Sequence, residues 1–319
     1  MDDAKPRNLG GSLPVPNVQD LAARRDELML TPTLLDRYVR PQLNMVHLRP
    51  DAPACEEHEQ VPVIDLDRLL DLAGGWEEEA TRLRAACKNW GFFQVVNHGI
   101  PEETMEEMKR NVMGFFALPL VKKAALAQEP GEIEGYSAEV QRVAGELLRA
   151  MAENLGVRGH TYMTRLATSQ AVRMNYYPPC PEAQVDRVLG LSPHSNAVAL
   201  TLLLQVSPVH GLQIRRNGGW VPVMPLPGAL VVNVGDVVEV LTNGRYKSVE
   251  HRAVVNACEQ RMSIAAFHSA KFGGMYGTLK EVVGDNEARY RTVSVEEYTK
   301  LMLSSKLDGK NIIDAMKIN

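Results

Sequence analysis

The sequence lacks the residue patterns that mark several large classes of protein. It has only four cysteines in 319 residues, widely scattered and with no C-x-x-C pair, so a disulfide framework or a cysteine zinc site is not expected. No apolar run approaches the roughly 18 residues of a membrane span, and the first residues lack the apolar segment of a signal peptide. These absences predict a protein of the reducing cytoplasm with no membrane partner.

An excess of basic charge is also missing. The formal net charge is −4 at pH 7, so no basic face is predicted for binding nucleic acid or an anionic membrane. Apolar residues make up 45% of the chain and charged residues 23%, which is ordinary for a globular protein. The composition therefore excludes nucleic acid as an expected partner but does not by itself indicate an activity.

The chain divides into four parts by composition. Residues 1–60 are rich in proline and are expected to wrap over the surface. Residues 61–165 are predicted to be mostly helical, residues 168–269 to form short strands such as AVALTLLLQ and ALVVNVGD, and residues 270–319 to form a helical tail. Short strands separated by Gly, Pro and Asn favour an antiparallel sandwich or barrel over a parallel sheet. The predicted fold class is mainly β with flanking helices.

Four polar residues of the β-rich part could form one site. His194 and His251 could bind a nonhaem Fe(II), which in oxygenases is held by two histidines and one carboxylate on one face of an octahedron. Arg261 and Ser263 could bind a carboxylate, because the guanidinium fork makes two charge-assisted hydrogen bonds. Each residue alone is more often an ordinary polar side chain, so the prediction depends on the ordered combination.

Several longer stretches are specific when they occur together. They include VPVIDL, WGFFQVVNHGI, RMNYYPPCP, LGLSPHSNAVALTLLLQ, LTNGRYKSVEHRAVVN and RMSIAAF. In these stretches the chain resembles the plant-type 2-oxoglutarate/Fe(II)-dependent dioxygenases that modify small specialised metabolites. The resemblance implies a double-stranded β-helix, or jelly roll, as the core. It also implies Fe(II), 2-oxoglutarate as cosubstrate, O2, ascorbate as a reductant, a small-molecule substrate and a monomer.

The resemblance assigns residues to two groups within the site. The iron positions are His194, Asn196 and His251, and the 2-oxoglutarate positions are Asn175, Tyr177, Arg261 and Ser263. For Tyr177, core packing with a hydrogen-bonded hydroxyl is an equally good interpretation. His98 is not a ligand in this assignment, and we expect it to stabilise the turn between a strand and a helix.

Asn196 is the first departure from the family pattern, since it stands where the family has a metal-binding aspartate. An amide oxygen can coordinate a hard divalent cation, but it carries no formal charge, so a weaker iron site is predicted. Asp236 does not supply the missing carboxylate in this assignment, because an acid is usual there in relatives whose ligand set is complete.

A short middle segment is the second departure. Only AALAQEPGEIEG separates FFALPLVKK from YSAEVQRVAGELLRAM, where relatives carry a longer stretch that covers the substrate pocket. A natural shortening and an incomplete gene prediction both explain it. Two functions therefore stay open. One is oxidation of a small metabolite by hydroxylation, desaturation or demethylation, and the other is a catalytically impaired relative that binds small molecules or has lost its function.

Overall fold

The computed structural model describes most of the chain from Gln60 onwards. The described residues are 60–71, 74–119, 121–123, 134–157, 159, 161–180, 188–284, 287–305 and 309–318. The wrapping segment predicted for residues 1–60 lies outside them, apart from Gln60. Within these ranges, no helix combines the length and the apolar character that crossing a membrane requires.

Helices flank the strand-rich part of the chain on both sides. Those before it are α1 (Leu66–Leu70), α2 (Trp76–Asn89), α3 (Glu102–Ala117), α4 (Glu134–Asn154) and α5 (Thr161–Thr164), followed by a 3-10 turn at Arg165–Ala167. The later helices are α6 (Asp236–Leu241), α7 (Lys280–Val283), α8 (Val295–Ser304) and α9 (Asn311–Asp314). Two glutamates, Glu102 and Glu103, lie in the first turn of α3, where the helix dipole favours negative charge.

Two sheets build the core. The larger has six strands in the order β1 (Val63–Asp65), β2 (Phe92–Val96), β8 (Leu230–Val234), β5 (Leu200–Gln205), β10 (Arg261–Ser269) and β3 (Ser169–Tyr177). The smaller has four strands in the order β4 (Leu189–His194), β9 (His251–Val254), β6 (Leu212–Arg216) and β7 (Gly219–Pro222). A separate pair consists of β11 (Met275–Tyr276) and β12 (Val293–Ser294). All these pairings are antiparallel except that of β1 with β2, so the predicted mainly-β core with flanking helices is confirmed.

The alternation of side chains along the strands creates two apolar layers. Phe92 and Val231 of the larger sheet pack with Ile214 of the smaller sheet, in the space between the two. Their sequence neighbours Phe93 and Val232 belong to a larger cluster that includes the buried faces of the helices. Because successive strand residues face opposite sides of a sheet, one layer joins the two sheets and the other attaches the helices.

His98 stabilises the turn between β2 and α3. Its Nε2 lies 2.9 Å from the Gly228 carbonyl oxygen, and the Ile100 amide donates to Nδ1 at 3.2 Å. Asn97 and Gly99 have φ values of 50° and 71°, a left-handed conformation that Asn and Gly tolerate best. One ring nitrogen of His98 bonds within the turn and the other connects the turn to the distant Gly228 carbonyl, which agrees with the structural role expected for this residue.

The buried His268 connects the outer face of the larger sheet to α4 through the half-buried side chain of Gln170. Its Nε2 lies 2.9 Å from Nε2 of Gln170 on β3, and this Gln170 nitrogen also donates to the Ser137 carbonyl oxygen of α4 at 3.1 Å. Burial lowers the pKa of His268 to about 4, against opposing hydrogen bonds from the backbone. The imidazole is therefore neutral in the folded protein at neutral pH.

Stability is expected to fall in acid because of His268. The pKa of His268 is about 6.5 in the unfolded chain, so between this pH and the folded value the unfolded chain binds a proton that the folded chain does not. The contribution of His268 to the unfolding free energy therefore falls by about 1.4 kcal/mol for each pH unit that the pH is lowered in this range. In denaturant titrations from pH 7 to pH 4, His268→Gln should lose less stability than the wild type. Equal losses of unfolding free energy in the two proteins between pH 7 and pH 4 would contradict the low pKa of His268.

Candidate active site

His194 and His251 form the centre of the site. They are cross-strand partners at the end of the β4–β9 ladder, and β4 has irregular pairing just before His194. Their ring centroids lie 4.3 Å apart with the planes inclined at 50°. Since a metal accepts imidazole nitrogens at roughly 2.1 Å, the two rings are close enough to share one ion. The structure thus brings together the two histidines, 57 positions apart, that the sequence singled out.

Each ring keeps the lone pair of its Nε2, because a backbone carbonyl accepts the proton of the other nitrogen in a hydrogen bond. Nδ1 of His194 lies 2.8 Å from the Ser192 carbonyl oxygen, and Nδ1 of His251 lies 3.1 Å from the Val249 carbonyl oxygen. A carbonyl oxygen can only accept a hydrogen bond, so each Nδ1 carries the proton and each Nε2 keeps its lone pair. This arrangement fixes the tautomer and the ring orientation, as is usual for metal-bound histidines.

Both imidazoles are held neutral by burial. Burial, followed by the neighbouring His194, lowers the pKa of His251 to about 3. Burial also lowers the pKa of His194, although the Ser192 carbonyl and the Asn196 amide oppose that shift. A neutral ring is the form that binds a metal. The pair is therefore ready to coordinate at neutral pH without first losing protons.

Asn196 lies beside His194, two residues further along the chain. Its side chain is within hydrogen-bonding reach of the His194 ring, and the residue is 8% exposed. Its Nδ2 donates to the Thr201 hydroxyl at 2.9 Å. The other side of the amide is the Oδ1 oxygen, which carries the lone pairs and is therefore the atom that can coordinate a cation.

No residue that the structure describes replaces the missing carboxylate. Within the described ranges, no group of three His, Cys, Asp or Glu side chains is arranged to hold a metal ion. Asp236 is fully buried and accepts a hydrogen bond from the Ser195 hydroxyl at 3.1 Å. Burial raises the pKa of Asp236 to about 7. Asn196 is therefore the remaining candidate for a third ligand next to the histidines.

The four predicted cosubstrate residues lie together on neighbouring strands. Arg261 and Ser263 of β10 are paired with Tyr177 and Asn175 of β3, so all four face the same side of the sheet. Arg261 Nη1 approaches the Ser263 hydroxyl at 3.5 Å, and Asn175 Nδ2 approaches the same hydroxyl at 3.4 Å. The Tyr177 ring lies 5.3 Å from the Arg261 guanidinium carbon. Tyr177 thus contacts the arginine instead of packing only with apolar residues.

Gln205 is a member of this cluster that the sequence prediction missed. It is paired with Ser263 across the β5–β10 ladder, and its Oε1 accepts a hydrogen bond from Arg261 Nη2 at 3.0 Å. The available signal was its place at the end of LTLLLQ, where strand alternation puts it on the same face as Thr201. Gln205 holds one end of the guanidinium in place.

Arg261 fits an anionic ligand because its charge is buried and no described carboxylate is paired with it. The residue is 2% exposed and its Nε has no hydrogen-bond acceptor. Among the described residues it forms no ion pair with a carboxylate. A buried charge without a counter-charge is costly, so a dicarboxylate bound here would supply the negative charge that pairs with Arg261. Gly211 also leaves space beside it, since a Cβ there would lie 2.8 Å from the Arg261 Cδ.

Arg173 is a second cation near the site that the sequence prediction missed. It lies on β3 two residues before Asn175, and strand alternation therefore places it on the same face. Its guanidinium carbon lies 5.5 Å from the Phe267 ring, and the residue is exposed. It is thus an exposed positive charge beside the inner face of the larger sheet.

The C-terminal tail pairs with the strand that carries His194. The Ser195 amide donates to the Gly309 carbonyl and the Gly309 amide to the Pro193 carbonyl, each at 3.0 Å. The next residue, Lys310, donates to Glu239 Oε2 at 3.1 Å and to the Ser248 carbonyl at 2.8 Å. The end of β4 is therefore supported by the tail as well as by β9.

Removing the Lys310 charge should destabilise the protein. Glu239 has a side chain only 7% exposed and would lose the lysine that pairs with it, so Lys310→Met is expected to cost about 1–3 kcal/mol of unfolding free energy. Chemical denaturation measures this cost. A matched control is Lys317→Met, whose ion pair with Asp314 is more than half exposed and should cost less than about 1 kcal/mol. Equal costs for the two variants would contradict the role of Lys310.

Comparisons with known proteins agree with this geometry. Residues 168–270 match the 2OG-Fe(II) oxygenase superfamily, and residues 61–180 match the non-haem dioxygenase N-terminal region described from morphine synthesis. The structure is similar to a crystal structure of JOX2 in complex with 2OG, Fe and JA, with a TM-score of 0.80 and 29% identity over 96% of this chain and 99% of that one. The predicted jelly-roll core is confirmed by this similarity.

Two plant enzymes are similar over nearly the whole chain. Oxoglutarate-dependent flavonoid 7-O-demethylase 1 of Ocimum basilicum is 38% identical over 99% of this chain and 95% of its own length. Thebaine 6-O-demethylase of Papaver somniferum is 35% identical over the full length of both chains. The alignments run over 367 and 374 residues against 319 in this chain, so both relatives carry residues that it lacks. This chain belongs to the plant 2-oxoglutarate/Fe(II)-dependent dioxygenases of specialised metabolism, an enzyme family that uses Fe(II), 2-oxoglutarate and O2.

Proposed function

We propose that this protein oxidises a small specialised metabolite, using an iron site formed by His194, His251 and Asn196. The observation that supports it best is a pair of neutral imidazoles whose ring centroids lie 4.3 Å apart. The Nδ1 atom of each ring is hydrogen-bonded to a backbone carbonyl. Arg261 adds a buried positive charge on the facing sheet, and no carboxylate in the described part of the chain pairs with it. These two features match the two ligands of the family, a divalent iron and a dicarboxylate.

The residues of the chain have separate tasks in this proposal. His194 and His251 hold the metal, and Asn196 contributes its amide oxygen in place of a carboxylate. Arg261 and Ser263 bind the distal carboxylate of 2-oxoglutarate, while Asn175 and Tyr177 line it. When bound, Fe(II) and 2-oxoglutarate supply the activation of O2 that oxidises a C–H bond.

The type of oxidation is proposed from the relatives. Two of the similar enzymes are O-demethylases, one of a flavonoid and one of thebaine. O-methylated aromatic compounds are therefore the first substrates to test, with hydroxylation and desaturation as other outcomes of the same chemistry. The proposal also keeps the monomeric state and the cytoplasmic location expected from the sequence. Size-exclusion chromatography and a fluorescent fusion in plant cells test those two points.

The decisive experiment measures succinate formed from 2-oxoglutarate by the purified protein with added Fe(II) and O2. Each reaction is run with and without a panel of O-methylated flavonoids and alkaloids, and His251→Ala serves as the control that lacks a metal ligand. Succinate above the His251→Ala level, increased by at least one aromatic compound, is the expected result. No succinate at saturating iron would contradict the proposal.

A second candidate function is a binding protein without turnover. It is favoured by the neutral Asn196 amide in a position where the family has an aspartate. Calorimetry separates the two functions, because a binding protein would retain 2-oxoglutarate or an aromatic ligand without forming succinate. The two readouts together therefore assign the chain to one function or the other.

A further inference from the structure

A buried carboxylate connects the C-terminal tail to the segment before His251. Glu239 lies on α6, and its Oε2 accepts hydrogen bonds from the Ser248 amide at 2.7 Å and from Lys310 Nζ at 3.1 Å. Its Oε1 accepts from the Tyr290 hydroxyl at 2.9 Å. Lys310 also donates to the Ser248 carbonyl oxygen at 2.8 Å. The ion pair between Glu239 and Lys310 therefore holds Ser248 by both its amide and its carbonyl group.

The Ser248 end of this connection leads to His251. Ser248 is 2% exposed, and the next residue, Val249, provides the carbonyl oxygen that lies 3.1 Å from His251 Nδ1. The ladder between β4 and β9 ends at the pair formed by His194 and His251. Ser248 thus restrains the chain that carries His251 just beyond the end of this ladder.

The Lys310 end of the connection leads to His194. Gly309, which directly precedes Lys310, accepts from the Ser195 amide and donates to the Pro193 carbonyl, each at 3.0 Å. These two hydrogen bonds flank His194, the last residue of β4. The pairing of β4 with β9 is irregular just before His194. The tail therefore supplies backbone contacts at the point where the ladder is distorted.

We infer that Glu239 and Lys310 are positioning residues that set the distance between the two iron-binding histidines. This inference rests on the proposed function, because it assumes that His194 and His251 hold the same metal. An ion accepts each imidazole nitrogen at roughly 2.1 Å, and the ligands must be held within about 0.5 Å of their working geometry. One ion pair that reaches the backbone of both histidines fixes their separation before the metal binds.

A second contact to the same strand end limits the expected effect. The Ser195 hydroxyl donates to Asp236 at 3.1 Å, and Asp236 is the first residue of α6, the helix that carries Glu239. This hydrogen bond does not involve Lys310 and should remain when the lysine is replaced. Breaking the ion pair should therefore loosen the histidine pair without separating it completely.

The test is the Fe(II) affinity of the intact chain, measured by anaerobic titration calorimetry with the metal alone, well below the melting temperature of every variant. Lys310→Met should lower the affinity about tenfold, at the low end of the roughly 10–100-fold loss seen when the support of a ligand is removed. Lys310→Arg keeps a cation that can bridge Glu239 and Ser248, and should stay within about threefold of the wild type. Lys317→Met, whose ion pair with Asp314 is exposed, should leave the affinity unchanged.

A double variant separates positioning from stability. Lys310→Met leaves Glu239 as a buried charge without its lysine, which should lower the melting temperature. Adding Glu239→Gln removes that charge, keeps an oxygen for the Ser248 amide and lets the NH2 group donate to the Tyr290 hydroxyl. The double variant should therefore melt at a higher temperature than Lys310→Met and yet keep its reduced affinity for Fe(II).

Two further measurements distinguish a local effect from a general one. Leu83→Ala removes a buried side chain of α2, so it should lower the melting temperature without lowering the affinity for Fe(II). Hydrogen exchange of the Ser195 amide in the metal-free protein should be faster in Lys310→Met than in the wild type, because its hydrogen bond to Gly309 opens more often.

An unchanged Fe(II) affinity or an unchanged Ser195 exchange rate in Lys310→Met would overturn the inference. An affinity that follows the melting temperature, by recovering in the double variant or falling in Leu83→Ala, would overturn it as well. Glu239 and Lys310 would then be ordinary structural support. If His251→Ala binds Fe(II) as tightly as the wild type, the iron site of the proposed function fails instead. The His251→Ala control therefore distinguishes the failure of this inference from the failure of the proposed function.

Discussion

Asn196→Asp is expected to raise the affinity for Fe(II) at least about tenfold, or about 1.4 kcal/mol. Asparagine and aspartate have nearly the same shape, and the Thr201 hydroxyl that now accepts from the amide can donate to a carboxylate instead. The substitution thus adds a negative charge beside two neutral imidazoles with little change in packing. It completes the set of two histidines and one carboxylate that holds nonhaem iron, with three positions left for ligands.

Without metal, the Asn196→Asp variant should be less stable than the wild type, because it buries a charge at a position that is 8% exposed. Added Fe(II) should reverse the loss, since a ligand that binds only the folded state raises the melting temperature. Succinate formation at limiting iron should rise together with the affinity. Anaerobic metal titration and thermal melts with and without Fe(II) measure both effects.

The matched control is Asn256→Asp, which makes the same chemical change outside the site. Asn256 Oδ1 accepts from the amides of Cys258 and Glu259 in a turn, a task that a carboxylate also performs. This variant should leave Fe(II) affinity at the wild-type value. A rise in both variants would indicate a general charge effect, and no rise in Asn196→Asp would show that position 196 is not the limiting ligand.

Arg261→Lys is expected to weaken the binding of 2-oxoglutarate by about 1–3 kcal/mol, or roughly 5- to 150-fold. Lysine keeps the positive charge but loses the planar fork that binds a carboxylate with two parallel hydrogen bonds. It also gives up the arrangement in which Gln205 holds one guanidinium nitrogen and Ser263 lies next to another. Calorimetry with 2-oxoglutarate measures the loss.

Two companion variants make the arginine result specific. Ser263→Ala deletes one hydroxyl and should cost about 1 kcal/mol of 2-oxoglutarate binding. Arg216→Lys should cost nothing in binding, because the Arg216 guanidinium stacks on Trp90 at 3.7 Å and donates to the Asn89 carbonyl. Unchanged 2-oxoglutarate affinity in folded Arg261→Lys would remove Arg261 from the site.

The division of the chain into residues 1–60, 61–165, 168–269 and 270–319 stays a prediction. The strand-rich part that the structure describes begins at Ser169 and its last core strand ends at Ser269. The ends of short strands are the local part of such a prediction, because patterns of Gly, Pro and Asn mark where strands stop. Which strands become neighbours is not a local property, and the order of the larger sheet could not be predicted from these patterns.

The sequence by itself determined which residues are available for the chemistry. The family resemblance identified His194, His251 and Arg261 as site residues, and it revealed Asn196 as an amide where an acid is usual. These conclusions depend on residue types and their order, which are visible without coordinates. The substitution that weakens the proposed iron site is likewise a property of the sequence.

Only the tertiary structure decided how those residues are supported. Thr201 and Gln205 enter the site through pairings between distant strands, and Gly309 reaches β4 through a tail more than a hundred residues downstream. The lack of a counter-charge for Arg261 among the described residues is also a result of packing. The physical reason is that hydrogen-bond partners and burial depend on strand register and on contacts between remote segments, whereas sequence patterns report the periodicity of one segment at a time.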